Sequence, residues 1–73
     1  MATQIVMDHT GDTRHHFDGA DAEALLKAEE RFRNLTAVGF TAATRTSSGE
    51  VALARTFDPT AEETVFYPRL VGG

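Results

Sequence analysis

The feature that most constrains this chain is a single long helical segment with clear stops, set among short runs of β-forming residues. Ala22 to Val38 is rich in Ala, Leu, Lys, Glu and Arg, residues that lose little freedom in a helix. Leu25, Phe32 and Leu35 fall on one stripe at helical spacing, flanked by Ala22, Ala28 and Glu29, so the helix has one face to bury. Asp18 or Asp21 is placed to cap the free N–H groups at its start, where the helix dipole also favours a carboxylate. Glu23 precedes Lys27 by four residues, a weakly supporting pair. Gly39 is a natural left-handed stop, and Phe40 after it can fold back toward Leu35.

Such a helix needs an apolar partner face, and the rest of the sequence supplies strands. Thr3 to Asp8 carries Ile5 and Met7 at a two-residue period, which places them on one face. His9-Thr10-Gly11-Asp12 is a turn cluster in which Gly11 can take a positive φ. Thr13 to Phe17 then returns, and so short a turn makes the pair antiparallel. After the helix, Phe40 to Thr46 reads as a third strand and Ser47-Ser48-Gly49-Glu50 as a turn. Val51 to Phe57 is expected as a fourth strand, with Val51, Leu53 and Phe57 on one face and Arg55 interrupting it. Asp58-Pro59 should open a short helical turn containing Glu62 and Glu63. Thr64 to Tyr67 is the last β-type run, and Pro68, lacking an N–H, should end regular pairing near itself.

The order is strand, strand, helix, strand, strand, helical turn, strand. Two hairpins and a final strand packed on one helix make a two-layer α+β domain. Residues 1–68 read as that domain, and 69–73 as a flexible C-terminal tail. One of Val65, Phe66 and Tyr67 must face away from the core. Hydrophobic alternation and alignment from the C-terminus give opposite registers, so the sequence leaves the exposed face open. An outward aromatic beside an apolar neighbour would form a partner-binding patch.

Composition narrows the function. The chain has 73 residues, no cysteine and a net charge of −4. It therefore has no disulfide or thiolate zinc site. Interspersed acids and bases do not make the basic face that phosphate neutralisation requires, which argues against nucleic-acid binding. No apolar run suits a membrane span or a signal-peptide core, so the expected setting is cytoplasmic, without membrane contact. A lone lysine, Lys27, against six arginines reads as the coding bias of a GC-rich bacterium. His9, His15 and His16 invite a metal reading, but His15 and His16 are neighbours on a strand and point to opposite faces, so no metal site is expected. The only serines, Ser47 and Ser48, lie in a turn, and no nucleophile–base–acid arrangement is apparent. The chain reads as a non-enzyme with no catalytic residues and no bound cofactor.

The end of the sequence carries a resemblance. Glu63-Thr64-Val65-Phe66-Tyr67-Pro68-Arg69-Leu70-Val71-Gly72-Gly73 resembles the last strand and tail of ubiquitin, an apolar strand running into an Arg-Leu-containing tail that ends in two glycines. Arg69, Leu70, Gly72 and Gly73 stand at matching distances from the terminus. Val71 stands where ubiquitin has an arginine, and Pro68 where it has a strand leucine. The element order and length match the β-grasp, ubiquitin-like proteins across the whole chain, with residue identity concentrated in the tail. The chain is most similar to the modifiers of bacterial ubiquitination-like operons, which are often found in antiphage defence.

The resemblance implies a ubiquitin-like protein modifier. An E1-like enzyme would adenylate Gly73 using ATP and Mg²⁺. An E2-like enzyme would pass the acyl group to target amines, and a peptidase would reverse the isopeptide bond. Conjugation would fall on Gly73 and Gly72, with Arg69, Leu70 and Val71 gripped by the partner. Lys27, the only internal lysine, would be the side chain for self-attachment; its mid-helix place suggests partial cover and single attachments. The alternative is a sulfur carrier whose tail becomes a thiocarboxylate for cofactor or thionucleoside synthesis.

Overall fold

The structure, a computed structural model, describes residues 1–68. Five strands and one helix follow the expected order: β1 (Ala2–Asp8), β2 (Gly11–Phe17), α1 (Ala22–Ala37), β3 (Phe40–Arg45), β4 (Val51–Ala54) and β5 (Glu63–Pro68). The sheet order is β2-β1-β5-β3-β4. β1 and β5 run parallel at the centre, and the other neighbours are antiparallel. With one helix across one side of a mixed sheet, this is the α+β, β-grasp arrangement.

Local chemistry explains the punctuation. In the β1–β2 turn Asp8 Oδ1 accepts the Thr10 N–H at 2.8 Å and the Thr10 hydroxyl at 2.5 Å. Gly11 closes that turn at φ +131°, a conformation that costs a residue without Cβ little. Of the two candidate caps, Asp21 is the N-cap, accepting from the N–H groups of Glu23 (3.0 Å) and Ala24 (3.3 Å). Asp18 instead shapes the preceding turn through the Ala20 N–H. The helix ends with Val38 as its C-cap and Gly39 at φ +108°. The Gly39 N–H donates to Thr36 C=O, satisfying one carbonyl of the last turn.

Pairing register assigns every strand residue to a face. Ala2, Gln4 and Val6 of β1 share the helix side with Thr64 and Phe66 of β5 and with Phe40, Ala42 and Thr44 of β3. The core is the cluster Phe32, Ala42 and Phe66, with Val6, Leu35, Phe40, Ala54 and Phe57 packed against it. Phe32 meets Phe66 edge-to-face at 5.6 Å between ring centroids, and Phe57 at 6.1 Å. Burying an aromatic ring of this kind contributes about 1.5–3 kcal/mol, and edge-to-face contacts add about 0.5–1.5 kcal/mol.

Two expectations change, for Phe57 and for the turn that follows it. Ile5 and Met7 share a face as expected; it is the side away from the helix, and the helix side of β1 carries the polar Gln4. Gln4 is fully buried. Its amide N–H donates to Ala28 C=O at 3.0 Å, and its Oε1 accepts from Arg31 Nη1 at 2.7 Å, so a polar side chain is tolerated there. Phe57 does not belong to β4, which stops at Ala54; it lies in the following loop and turns into the core against Phe32, while Val51 and Leu53 stay outside. The segment expected as a helical turn holding Glu62 and Glu63 is instead a single non-helical turn from Asp58 to Ala61, closed by the Ala61 N–H on Asp58 C=O at 3.2 Å. Glu63 already opens β5, because it pairs with Thr3 and Arg45. Asp58 Oδ1 there accepts from the Thr60 N–H and hydroxyl, repeating the Asp8–Thr10 arrangement.

Candidate functional site

The expected conjugation residues, Gly72 and Gly73, and the tail residues Arg69, Leu70 and Val71 lie outside the described residues. The structure does place their point of departure. β5 lies between β1 and β3 and reaches Pro68. Its ladder with β1 runs no further than Val6↔Phe66, whereas that with β3 extends to Phe40↔Pro68. Because β1 and β5 are parallel, the chain passes beyond Pro68 at the end of the sheet that holds the β1–β2 turn, the start of β3 and the end of α1.

Register resolves the face of the last strand. Phe66 is fully buried under the helix, so Val65 and Tyr67 face the open side of the sheet, both half-buried. There Val65 stands between Ile5 of β1 and Ala43 of β3, and Ala43 stands beside Leu53 of β4. Four apolar side chains thus form one row across four strands. Tyr67 and Met7 extend the patch toward the tail exit, and Val51 extends it at β4. Leu53 is 71% exposed, Val51 69% and Met7 45%, while Ile5 in the middle is 8% exposed. An apolar row that is covered at its centre and open at its rim is suited to a partner protein. Polar groups border it: Arg14 follows Ile5 on β2, and Arg45 pairs with Glu63 at 3.4 Å.

The histidines separate as their alternation predicts. His16 is on the open face, hydrogen-bonded through Nδ1 to the Thr3 hydroxyl at 3.0 Å. His15 is on the helix side, opposite Gln4. Burial, and then the nearby Arg31 charge, hold the His15 pKa below its ordinary value of 6.5. Among the described residues no group of three or more His, Asp or Glu side chains is placed to hold a metal ion. No described helix is long and apolar enough to cross a membrane.

Lys27 differs from the expectation. It is exposed rather than partly covered, because its neighbour Ala28, not Lys27, lies on the buried stripe with Phe32. The steric reason for single attachments at Lys27 therefore lapses. The sequence reading also missed Gln4, whose partners stand 24 and 27 residues away. No periodic signal marks such a contact.

Comparison with known proteins adds no family: no protein-family model, curated protein or solved structure matches the chain.

Proposed function

We propose that this chain is a ubiquitin-like modifier, a protein acted upon at the carboxyl of Gly73 rather than an enzyme. The observation that carries the reading is the join between fold and sequence: the central strand of a β-grasp sheet leads at Pro68 directly into Arg69-Leu70-Val71-Gly72-Gly73.

The chemistry accounts for the residue types. A carboxylate is a poor acylating agent and must first be activated. In the proposed step a carboxylate oxygen of Gly73 attacks the α-phosphate of ATP in an E1-like enzyme. Pyrophosphate leaves, and an acyl-adenylate remains. An enzyme nucleophile then takes the acyl group with loss of AMP, and an E2-like enzyme delivers it to a target amine. Two glycines give the thinnest chain end for a confined site. Arg69 offers a planar fork for a partner carboxylate, and Leu70 and Val71 fill apolar notches. The open-face row from Ile5 to Leu53 gives the conjugating enzymes a surface beside the tail exit. A peptidase that splits the isopeptide bond would regenerate the carboxyl. A bacterial cytoplasm, with a role in antiphage defence, is the setting this reading proposes.

The test is an exchange assay. Labelled pyrophosphate should enter ATP when the full chain meets its E1-like enzyme, and not when Gly73 is removed. Equal exchange by both would refute the reading. Intact mass of the chain from its own cells separates the sulfur-carrier alternative, which replaces one oxygen by sulfur and adds about 16 Da at the activated carboxyl.

A further inference from the structure

The two edges of the sheet differ in kind. The β2 edge carries Asp12, Arg14, His15 and His16, side chains that discourage strand addition. The β4 edge, Val51-Ala52-Leu53-Ala54, carries no charge, and its two large side chains are the exposed Val51 and Leu53. Among the described residues its backbone is also unpaired on one side. The Thr46 N–H donates to Glu50 C=O at 3.0 Å, which makes Thr46↔Glu50 a hydrogen-bonded pair. Alternation along an antiparallel ladder then bonds Thr44 to Ala52 and Ala42 to Ala54. The N–H and C=O groups of Val51 and Leu53 consequently point away from β3 into solvent.

We propose that this edge pairs with the β4 edge of a second copy of the chain, antiparallel about a two-fold axis at Ala52. The register follows from the outward groups. Val51 of each copy faces Leu53 of the other, giving two close pairs that each exchange two hydrogen bonds. On the open face each Val51 side chain lies beside the other copy's Leu53. On the helix side the opposed residues are Ala52 and Ala52, too small to collide. Charge favours this arrangement. Glu50 precedes the strand and Arg55 follows it, both exposed, so antiparallel pairing brings each acidic end beside a basic end, whereas parallel pairing would oppose Glu50 to Glu50. The contact is isologous and closes at two copies. It joins two five-stranded sheets into one, and the open-face apolar rows of the two copies meet at the joint. Each chain passes Pro68 on β5, two strands in from the joint, and the two-fold axis places the two exits at opposite ends of the joined sheet. Pairing therefore leaves both tail exits clear.

Sedimentation velocity of the full chain from about 10 µM to about 1 mM spans the range in which so small an interface fills. The species should move from 7.9 kDa toward twice that mass. Leu53→Lys should weaken association at least about tenfold, because in both copies it opposes a charge to an apolar residue and so removes both apolar pairs. Met7→Lys, exposed on the same face but on β1, should leave association unchanged. Amide exchange in the unmodified chain supplies a readout that needs no variant: the Val51 and Leu53 amides should slow as concentration rises. A single 7.9 kDa species throughout, a dimer indifferent to Leu53→Lys, association abolished by Met7→Lys, or amide exchange at Val51 and Leu53 independent of concentration would each overturn the proposal.

Discussion

Truncating Phe66 tests the register on which the two faces of the sheet depend. Phe66 is 0% exposed, lies on the central strand and meets Phe32 edge-to-face. Phe66→Ala removes a whole ring from a site walled by sheet and helix, where relaxation is limited, and should cost about 3–5 kcal/mol. A chain of 73 residues has a total stability of about 4–11 kcal/mol at the usual value per residue. The variant should therefore be marginal or unfolded at room temperature. Tyr67→Ala, one residue further on and half-buried on the open face, should cost about 1 kcal/mol or less, as substitutions away from a packed core do. Urea unfolding followed by far-ultraviolet circular dichroism reads both. With a slope of about 1 kcal/mol per molar urea for a small domain, the Phe66→Ala midpoint should fall by about 3 M or more. Comparable costs for the two variants, or a larger cost at Tyr67, would refute the register and with it the open-face patch.

Three further outcomes are expected. Asp21→Ala removes the acceptor for two N–H groups at the start of α1, so it should cost about 1 kcal/mol and lower Tm by about 4–8 °C, as scanning calorimetry would show. Gln4→Glu sets a carboxylate against Ala28 C=O where an amide N–H now donates; the loss should be about 1–3 kcal/mol at neutral pH. Urea unfolding at neutral pH reads the loss, and an unchanged midpoint would count against the buried Gln4–Ala28 hydrogen bond. His15, held below 6.5 by burial and by Arg31, should titrate by NMR below that value. The folded chain then binds this proton less readily than the unfolded one, so the His15 contribution is present above about pH 6.5 and is lost as pH falls through the lower folded value. Arg31→Met should move the midpoint only partly back, because burial is the larger cause.

How much of this was legible in the sequence depends on how local each cause is. The helix and its ends were readable because Asp21, Gly39 and the Phe32 stripe act within a turn or two of themselves. The hairpin at Gly11 was readable for the same reason. The face of β5 was not, because Val65, Phe66 and Tyr67 are all apolar and alternation alone accepts either register. Pairing with Val6 and Ala42, from distant strands, decides it. Gln4 inverted the apparent pattern of β1: a buried amide satisfied by the helix backbone and Arg31 leaves Ile5 and Met7, the residues that look like core, on the other side. Phe57 looked like a further residue on the Val51–Leu53 face of β4 because its spacing continues the alternation, but the strand ends at Ala54 and the loop carries the ring into the core. For the candidate site, the tail motif from Arg69 to Gly73 was plain in the sequence. The apolar row from Ile5 to Leu53 was hidden, since its members come from four strands and meet only through pairing.

The central claim is that Gly73 becomes joined to an amine of another protein. Trypsin cutting after Arg69 would leave the remnant Leu-Val-Gly-Gly on the acceptor. Peptide mass spectrometry of proteins from the native cell, or from a reaction with the E1-like and E2-like enzymes and ATP, should find lysines or N-termini bearing that remnant, and none when Gly73 is deleted. Adducts that persist without Gly73, or a fully active conjugation system that yields no Leu-Val-Gly-Gly-bearing amine, would contradict the account.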